Sequence, residues 1–572
     1  MSEPTPEPEQ HQPEEAADSG TPEVGAAKES VEPKSEAAAE PARKGFAARL
    51  DRVLELLWRG VDSRYFTYAL ILLTAAAYLS LVTNKLRENS DSVVYLRLAE
   101  NLAAGKGYTY MNLPHATFVP GWPLILAAAM KLGMGEPWHL NLFIAVLGLG
   151  MCWATWTLAL VLANRGLANV ALVAFAFSED AMKWSQRPLS EVVFTFIFLL
   201  SLICIAMAWR NERLSLPWGL GGALLGSVAI MTRPTGAVLF PAFLAWLWVT
   251  VPRTEKKWKR SLLAATICVC GLVPALLWIG RAVRHHDRYR PSYVGVGKSL
   301  ARPAAKIKTI GTKTGGIADA VARNFVGYYT GRKLGPLWAV AAATVMLLLA
   351  AVGAAIALWR RQWLLPVTIA GNLALIALFT RPLPRYAFPS HALLVILAVL
   401  ATVAAAKRFR LPGRLACAVL FVGLLGLSLV SWDRTRGNRD KPEKNQPYRQ
   451  LATWLRSRPD RDSLQVCSWQ ARRVHYFAEA TAHRSAGDAQ SFPESYCRYG
   501  GFDLLVFEKR EFNPERKTDR AILRHDRALR DGVKRMTAWG ILRAIPQPVP
   551  GLKRFEVWRL EPRSHPPKTN QP

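Results

Sequence analysis

Acidic residues are scarce in this 572-residue chain: 42 Asp and Glu stand against 73 Lys and Arg, a formal net charge of +31. The excess of positive charge would suit a nucleic-acid binder, yet no binding-fold signature and no aromatic-interleaved basic motif accompanies it. Nucleic acid is therefore excluded as a partner. Large apolar residues are almost absent from residues 1–45, which are rich in Glu, Pro, Ala and Ser. That segment cannot bury enough surface to offset chain entropy and is expected to be a disordered cytoplasmic tail. No short apolar core precedes a small-residue cleavage site, so it does not read as a signal peptide. Cysteine is also sparse, at seven. Five of these (Cys152, Cys204, Cys268, Cys270 and Cys417) fall in apolar runs and read as buried packing residues.

Long apolar runs are abundant. The mean hydropathy of +0.10 averages unlike parts: polar ends flank a middle built of runs of roughly 17–25 residues, each long enough to cross a hydrocarbon core. The expected spans are 66–84, 138–163, 167–182, 190–209, 217–232, 235–251, 261–280, 337–359, 363–380, 387–405 and 414–432. Arg43, Lys44, Arg49, Arg52, Arg59 and Arg64 lead into the first and place the N-terminus in the cytoplasm. The linkers that then fall inside carry Arg165, Arg210 with Arg213, the run 253–260 (RTEKKWKR), Arg360-Arg361 and 407–414 (KRFRLPGR). This basic bias fits an all-α polytopic protein of about eleven membrane helices over residues 46–432, with anionic lipid as the partner of the linkers. The external segments include a first loop, 85–137, and a long loop, 281–336. Residues 433–572 lack a span and mix helical stretches (447–457, 519–535) with strand-like runs at 502–508 and 554–560. They read as a small external α/β domain. Cys467 and Cys497 lie there, and an oxidising compartment would let them pair if their Cα atoms come within about 7 Å.

The first external loop organises the rest. Ser90 or Asp91 can cap a short amphipathic helix, with Val94, Leu98 and Leu102 on one face, which Gly105 can end. Such a helix suits a membrane interface. Gly105-Lys106-Gly107-Tyr108, His115 and the rigid turn Pro120-Gly121-Trp122-Pro123 come next in the chain, and 124–134 is a second candidate interfacial helix.

Asp91-x3-Tyr95-x3-Ala99, Gly105-Lys106-Gly107-Tyr108 and Pro120-Gly121-Trp122-Pro123-Leu124 resemble the first external loop of the class C glycosyltransferases. The branch they are most similar to groups dolichyl-phosphate-mannose protein mannosyltransferases with the bacterial lipid A aminoarabinose transferase. The resemblance covers roughly residues 66–432. It implies a polyprenyl-phosphate sugar donor, and an acid in this loop that acts at the acceptor.

Each candidate has a plainer reading beside the chemical one. Asp91 is either a helix cap or the general base that takes the acceptor proton. Glu191, in Pro188-Leu189-Ser190-Glu191, is either a helix-start residue favoured by the macrodipole or a second active-site carboxylate; the family has a similar Ser-Glu at this point. Glu179 and Asp180 are weaker alternatives on the same side. A polyprenyl-phosphate leaving group needs fixed cations. Arg233 in Thr-Arg-Pro, and Arg381, Arg385 and Tyr386 in Arg-Pro-Leu-Pro-Arg-Tyr, break the positive-inside pattern; their plainer role is headgroup anchoring. Lys106 and the loop lysines and arginine Lys298, Arg302, Lys306, Lys308 and Lys313 are further cations. Tyr95, His115 and Trp122 are candidate substrate contacts, although aromatics here also suit an interfacial belt, and a lone His lacks a metal partner at ligand spacing. Two carboxylates could hold a divalent cation, but no Asp-x-Asp stands in the first loop, so no metal is assigned.

The expected activity is inverting transfer of a sugar from a polyprenyl-phosphate donor to a lipid, glycan or protein acceptor at the external face of a bacterial inner membrane. An endoplasmic reticulum membrane is the alternative location. No Gly-rich phosphate loop is present, so no nucleotide-sugar site is expected. The rival is a transporter or flippase of a lipid-linked or small anionic substrate, against which stand the lack of an inverted repeat and of mid-span charges.

Overall fold

A computed structural model of the chain describes residues 39–110, 113–210, 213–252, 255–284, 321, 336–378, 384–437, 445–460, 463–468, 471–479, 481–483, 503–508, 542–544 and 555–560. The chain divides into two compact units, Met1–Arg52 and Val53–Pro572. Every candidate site residue lies in the second.

Helix α1 (Ala39–Val61) leads to α2 (Arg64–Leu79), which starts where Ser63 Oγ accepts the Phe66 N–H. Helix α2 turns Leu70, Thr74 and Tyr78 inward and leaves Tyr65, Tyr68, Leu72 and Leu73 exposed. Helix α11 (Lys257–Arg284) does the same with Val269, Leu272 and Leu276, and α12 (Pro336–Trp359) with Val345, Leu348 and Val352. An exterior this apolar faces hydrocarbon rather than water. Among the described residues four helices are long and apolar enough to cross a membrane: Pro137–Leu162 (α5), Ser190–Ala208 (α8), Lys257–Arg284 and the first part of a later helix, Arg385–Ala405. Helix α8 is apolar all round and packs against α5 and α9 (Leu216–Thr232), burying Phe194, Phe198, Leu199 and Ile205.

Two of the expected spans take other forms. The run 167–182 is not continuous: α6 (Arg165–Ala176) stops, Ser178 Oγ accepts the Ala181 N–H, and a new six-residue helix, α7 (Glu179–Trp184), begins. An apolar average hides a Ser-Glu-Asp start signal of this kind. The run 235–251 opens as a 3₁₀ turn, Pro234–Val238, before α10 (Leu239–Thr250).

After α13 (Leu364–Leu378), the last two expected spans belong to one 54-residue helical element, α14 (Pro384–Gly437). It cannot run straight. Arg385, at its start, touches Asp91, and Asn445 bonds Glu88 three residues earlier in the same loop. A straight helix would part its ends by about 80 Å, whereas the chain from Gly437 to Asn445 reaches at most about 29 Å. Pro412-Gly413, between the two expected spans, is the helix-breaking pair that the sequence offers for a bend.

Helix α3 (Ser92–Ala103) and α4 (Gly121–Lys131) form the first loop, joined through the short β1 (Thr109–Tyr110) and β2 (Leu113–Pro114). Gly105, at φ +76°, ends α3 as expected: its N–H reaches the Leu102 carbonyl, and the Lys106 N–H reaches that of Asn101. Gly121 lies against the backbone of Met231 and Thr232, so a Cβ there would overlap the Met231 carbonyl oxygen. Gly121→Ala is expected to lower stability by about 1–3 kcal/mol through overpacking, read as a fall in melting temperature. It would also displace Arg233, the next residue along.

In the C-terminal part, α15 (Gln446–Arg456) and α16 (Ala471–Ala478) accompany a five-stranded sheet, β5 (Gln465–Ser468), β6 (Thr481–His483), β7 (Leu504–Glu508), β8 (Leu542–Ala544) and β9 (Phe555–Leu560). Its order is β6-β5-β7-β9-β8, with β6, β5 and β7 parallel and the rest antiparallel. Val466, Leu504, Val506 and Val557 build its core with Tyr448, Leu451 and Val474, and the same cluster takes in Val93, Val94 and Leu98 of α3. The apolar face of α3 thus lies under this domain, not in a lipid interface. Amphipathicity announces that a face will be covered, and lipid and protein cover it equally well. Cys152 is buried, but Cys268 is exposed on the outer face of α11 and is not a packing residue. Cys497 lies outside the described residues, as does the expected helix 519–535, so the Cys467–Cys497 pairing remains an expectation from sequence.

Candidate active site

Four helix ends converge beneath α3. Asp91 stands at the N-terminus of α3, but its side chain makes no capping bond. Asn89 does the capping: its Oδ1 accepts the N–H groups of Asp91 at 2.9 Å and Ser92 at 2.8 Å, and the Ser92 hydroxyl at 3.1 Å. This directs the Asp91 carboxylate elsewhere, and its Oδ2 lies 2.7 Å from Nη1 of Arg385 at the start of α14. Arg385 Nε lies 4.0 Å from Oε1 of Glu191, in the first turn of α8. The same Glu191 oxygen is 2.8 Å from Nη1 of Arg233, the residue that ends α9.

These are buried charges. The side chains of Glu191 and Arg233 are only 3% and 11% exposed, and those of Asp91 and Arg385 17% and 25%. At such burial each guanidinium is held by a carboxylate that would otherwise be costly. The Tyr386 ring lies near both arginines, with Arg233 Cζ 5.3 Å and Arg385 Cζ 5.2 Å from its centroid. Tyr95, one turn into α3, has its hydroxyl 3.4 Å from Ser190 Oγ, which also accepts from Arg233 Nη1 at 3.3 Å. Burial pushes the Tyr95 phenol well up, so it is a neutral hydroxyl at working pH. One Glu191 oxygen, Oε2, is buried without a hydrogen bond among the described residues.

Six of the residues singled out in the sequence are therefore together: Asp91, Tyr95, Glu191, Arg233, Arg385 and Tyr386. Others lie apart. Lys106 is exposed at the far end of α3, about 18 Å along the helix from Asp91. His115 is buried and structural: its Nε2 accepts the Phe118 N–H at 3.1 Å, its ring stacks on Phe118, and its carbonyl oxygen accepts from Arg281 Nε. Trp122 is a core residue rather than part of a surface belt, 1% exposed and stacked on Phe143. Asp180 is buried and pairs with Lys183 at 3.4 Å. Arg381 and residues 285–320, including His285-His286 and the loop lysines, lie outside the described residues.

Two further contributors have no role of their own in the sequence analysis. Ser190 joins Tyr95 to Arg233, and Arg187 lies within electrostatic reach of both Glu191 and Asp180, half-buried over the Trp184 ring. Arg187 did carry a signal of another kind, because it is an arginine on the external side that breaks the charge pattern as Arg233 and Arg385 do. Its guanidinium, like those of Arg233 and Arg385, matches a phosphate as well as a carboxylate. Among the described residues no group of three or more His, Cys, Asp and Glu could hold a metal ion.

The C-terminal domain grips the same loop from above. Glu88, whose side chain is 1% exposed, accepts from Asn445 Nδ2 on both its carbonyl oxygen and Oε2 at 3.1 Å, and from Arg449 Nη2 on Oε1 at 3.1 Å. Arg97 of α3 donates to the Tyr476 carbonyl at 2.8 Å and pairs with Glu479 at 3.3 Å.

Residues 115–278 match the family described as dolichyl-phosphate-mannose-protein mannosyltransferase. Among solved structures, the apo oligosaccharyltransferase of Archaeoglobus fulgidus is similar at 14% identity over 78% of this chain and 70% of its own, with a TM-score of 0.52. ArnT from Cupriavidus metallidurans, bound to undecaprenyl phosphate, is similar at 13% identity over 87% of this chain and 98% of its own, with a TM-score of 0.53. The arabinofuranosyltransferase AftD from Mycobacteria is similar at 15% identity over 88% of this chain and 40% of its own, with a TM-score of 0.50. No curated protein sequence matches the chain. The family match and the shared fold support the resemblance to the class C glycosyltransferases; the match takes in Pro120-Gly121-Trp122-Pro123 and begins after Asp91 and Gly105–Tyr108.

Proposed function

We infer that this membrane glycosyltransferase takes its sugar from a polyprenyl-phosphate donor and delivers it to an acceptor hydroxyl at the face where Asp91 lies. One observation carries the reading: Arg385 is shared, bonded to Asp91 at 2.7 Å and 4.0 Å from a Glu191 that already holds Arg233. A guanidinium matches a phosphate as well as a carboxylate. A donor phosphate entering the pocket takes Arg385 from Asp91, which releases a carboxylate beside the substrate at the moment the leaving group is seated. The relatives support the donor class: one is shown with undecaprenyl phosphate and another with a dolichol-phosphate.

Once released, Asp91 accepts the acceptor O–H proton while that oxygen bonds to the anomeric carbon. The bond from that carbon to the phosphate oxygen breaks, and the polyprenyl phosphate leaves with the electron pair. Attack opposite the leaving group inverts the anomeric centre. Arg385 and Arg233 balance the charge growing on the phosphate, and Glu191 fixes both. Asp91 and Glu191 are also the oxygen donors that a divalent cation would take, in exchange for their arginines. The basic linkers lie at the other ends of the helices, and the positive-inside tendency supports a cytoplasmic N-terminus and an external C-terminal domain.

Transfer by the purified full chain, with a panel of radiolabelled polyprenyl-phosphate sugars and crude envelope acceptors, tests the reading. Label is expected to reach the acceptor from one of these donors, with polyprenyl phosphate released in equal amount. Transfer from a nucleotide sugar alone would overturn the donor class, and labelled lipid crossing vesicles without any product would favour the transporter.

A further inference from the structure

At the end of the bundle opposite Asp91 is a cavity of about 370 Å³. Helix α8 joins the two places: Glu191 stands in its first turn, and Ala206 lines the cavity about 22 Å further along. The volume is that of a small-molecule site. Its walls are mostly apolar, with Leu167, Trp246, Ile396 and Leu397 among them and Thr250 and Gln362 as polar neighbours, and its rim carries Arg360 and Arg361.

The rim is built in an unusual way. α12 ends in a paired turn in which the Gln362 N–H reaches the Ala357 carbonyl and the Arg361 N–H reaches that of Leu358. The residue in the left-handed position of such a turn is ordinarily glycine, yet Arg361 occupies it at φ +58°. Its carbonyl oxygen accepts from Thr250 Oγ1 at 3.3 Å, which ties the rim to the end of α10 and so to the basic linker that precedes α11. Arg360 and Arg361 are both exposed, and Trp359 beside them is 87% exposed, as expected of a residue at headgroup depth. An apolar slot, two guanidiniums at its mouth and an interfacial tryptophan match a molecule with a phosphate at one end and a hydrocarbon chain at the other.

We propose that this cavity binds an anionic glycerophospholipid of the leaflet opposite the catalytic face, its phosphate held by Arg360 and Arg361 and one acyl chain lying between Trp246 and Leu397. The site is separate from the transfer chemistry and stands whether or not the donor assignment does. The phosphate accepts from the two guanidiniums, and the apolar part of the wall sheds water against the acyl chain.

The test uses the full chain, stripped of lipid in detergent and offered dioleoyl phosphatidylglycerol, dioleoyl phosphatidylcholine or undecaprenyl phosphate, with retained lipid counted by native mass spectrometry. The wild type is expected to retain phosphatidylglycerol at least fivefold better than phosphatidylcholine. Arg361→Gly is expected to weaken that retention about fivefold, while its melting temperature holds or rises because glycine suits the left-handed turn. Ala206→Phe fills the slot without touching charge and is expected to abolish retention. Equal retention of the two lipids would overturn the proposal, as would retention unchanged in Ala206→Phe, since surface attraction alone would then suffice. Preference for undecaprenyl phosphate over phosphatidylglycerol would overturn it in favour of a polyprenyl occupant.

Discussion

Asp91→Asn lowers glycosyl transfer by about 10²–10⁴-fold at saturating donor and acceptor, the range that a positioned general base supplies. Donor binding is expected to survive. Asparagine has the shape of aspartate and can still accept from Arg385, so the loop keeps its geometry. Removing the negative charge leaves Arg385 with less competition for the donor phosphate, and the KM for donor therefore holds or falls while kcat collapses. That split separates a base from a residue that merely shapes the loop, whose loss would raise KM and lower the melting temperature together. The capping by Asn89 makes the test clean, because the start of α3 does not depend on the carboxylate. Undiminished transfer in Asp91→Asn would remove Asp91 from the chemistry.

Glu191→Ala costs about 3–5 kcal/mol of stability, because it leaves Arg233 buried without its partner. The effect is read as a loss of melting temperature in detergent, larger than that of Asp91→Asn, whose carboxylate is more exposed. Ablating both partners behaves differently. The double variant Glu191→Leu with Arg233→Met replaces a buried pair by apolar groups of similar volume, a change that is often neutral or stabilising. It is expected to regain the melting temperature of the wild type and yet to transfer nothing, since the phosphate has lost one guanidinium and Arg385 one anchor. Recovery of transfer along with stability would show that the Glu191–Arg233 pair is structural only.

The site was readable because its members break a rule that the rest of the chain keeps. Basic residues in the linkers gather at one membrane face, so arginines at the other face, Arg233 and Arg385, stood out, as did acids at the starts of helices. Their separation in sequence was no obstacle, since each marks the end of a helix and the ends share a plane. What escaped were relations that depend on a partner. Asp91 carries two readings, cap and base, because Ser-Asp before an apolar run usually caps it, and Asn89 two residues earlier fills the capping role. Trp122 looked like a surface aromatic because a Pro-Gly turn precedes it, but its ring faces Phe143 inside the bundle. Hydropathy averaged Ser178 and its acids into a span that the backbone breaks. The covering of α3 by a sheet more than 350 residues away left no local trace at all.

That covering has a consequence in time. Val93, Val94 and Leu98 are made early, together with the catalytic loop, whereas the groups that enclose them, Tyr448, Leu451 and Val466, are made after every membrane helix. A nascent chain that has inserted its bundle still holds Asp91 on a helix with one apolar side bare and Glu88 without Asn445. The loop can settle only when synthesis has passed residue 445 and the sheet has closed over it. A ribosome therefore delivers an unfinished catalytic loop for most of its transit, and its covering arrives late, with the C-terminal domain.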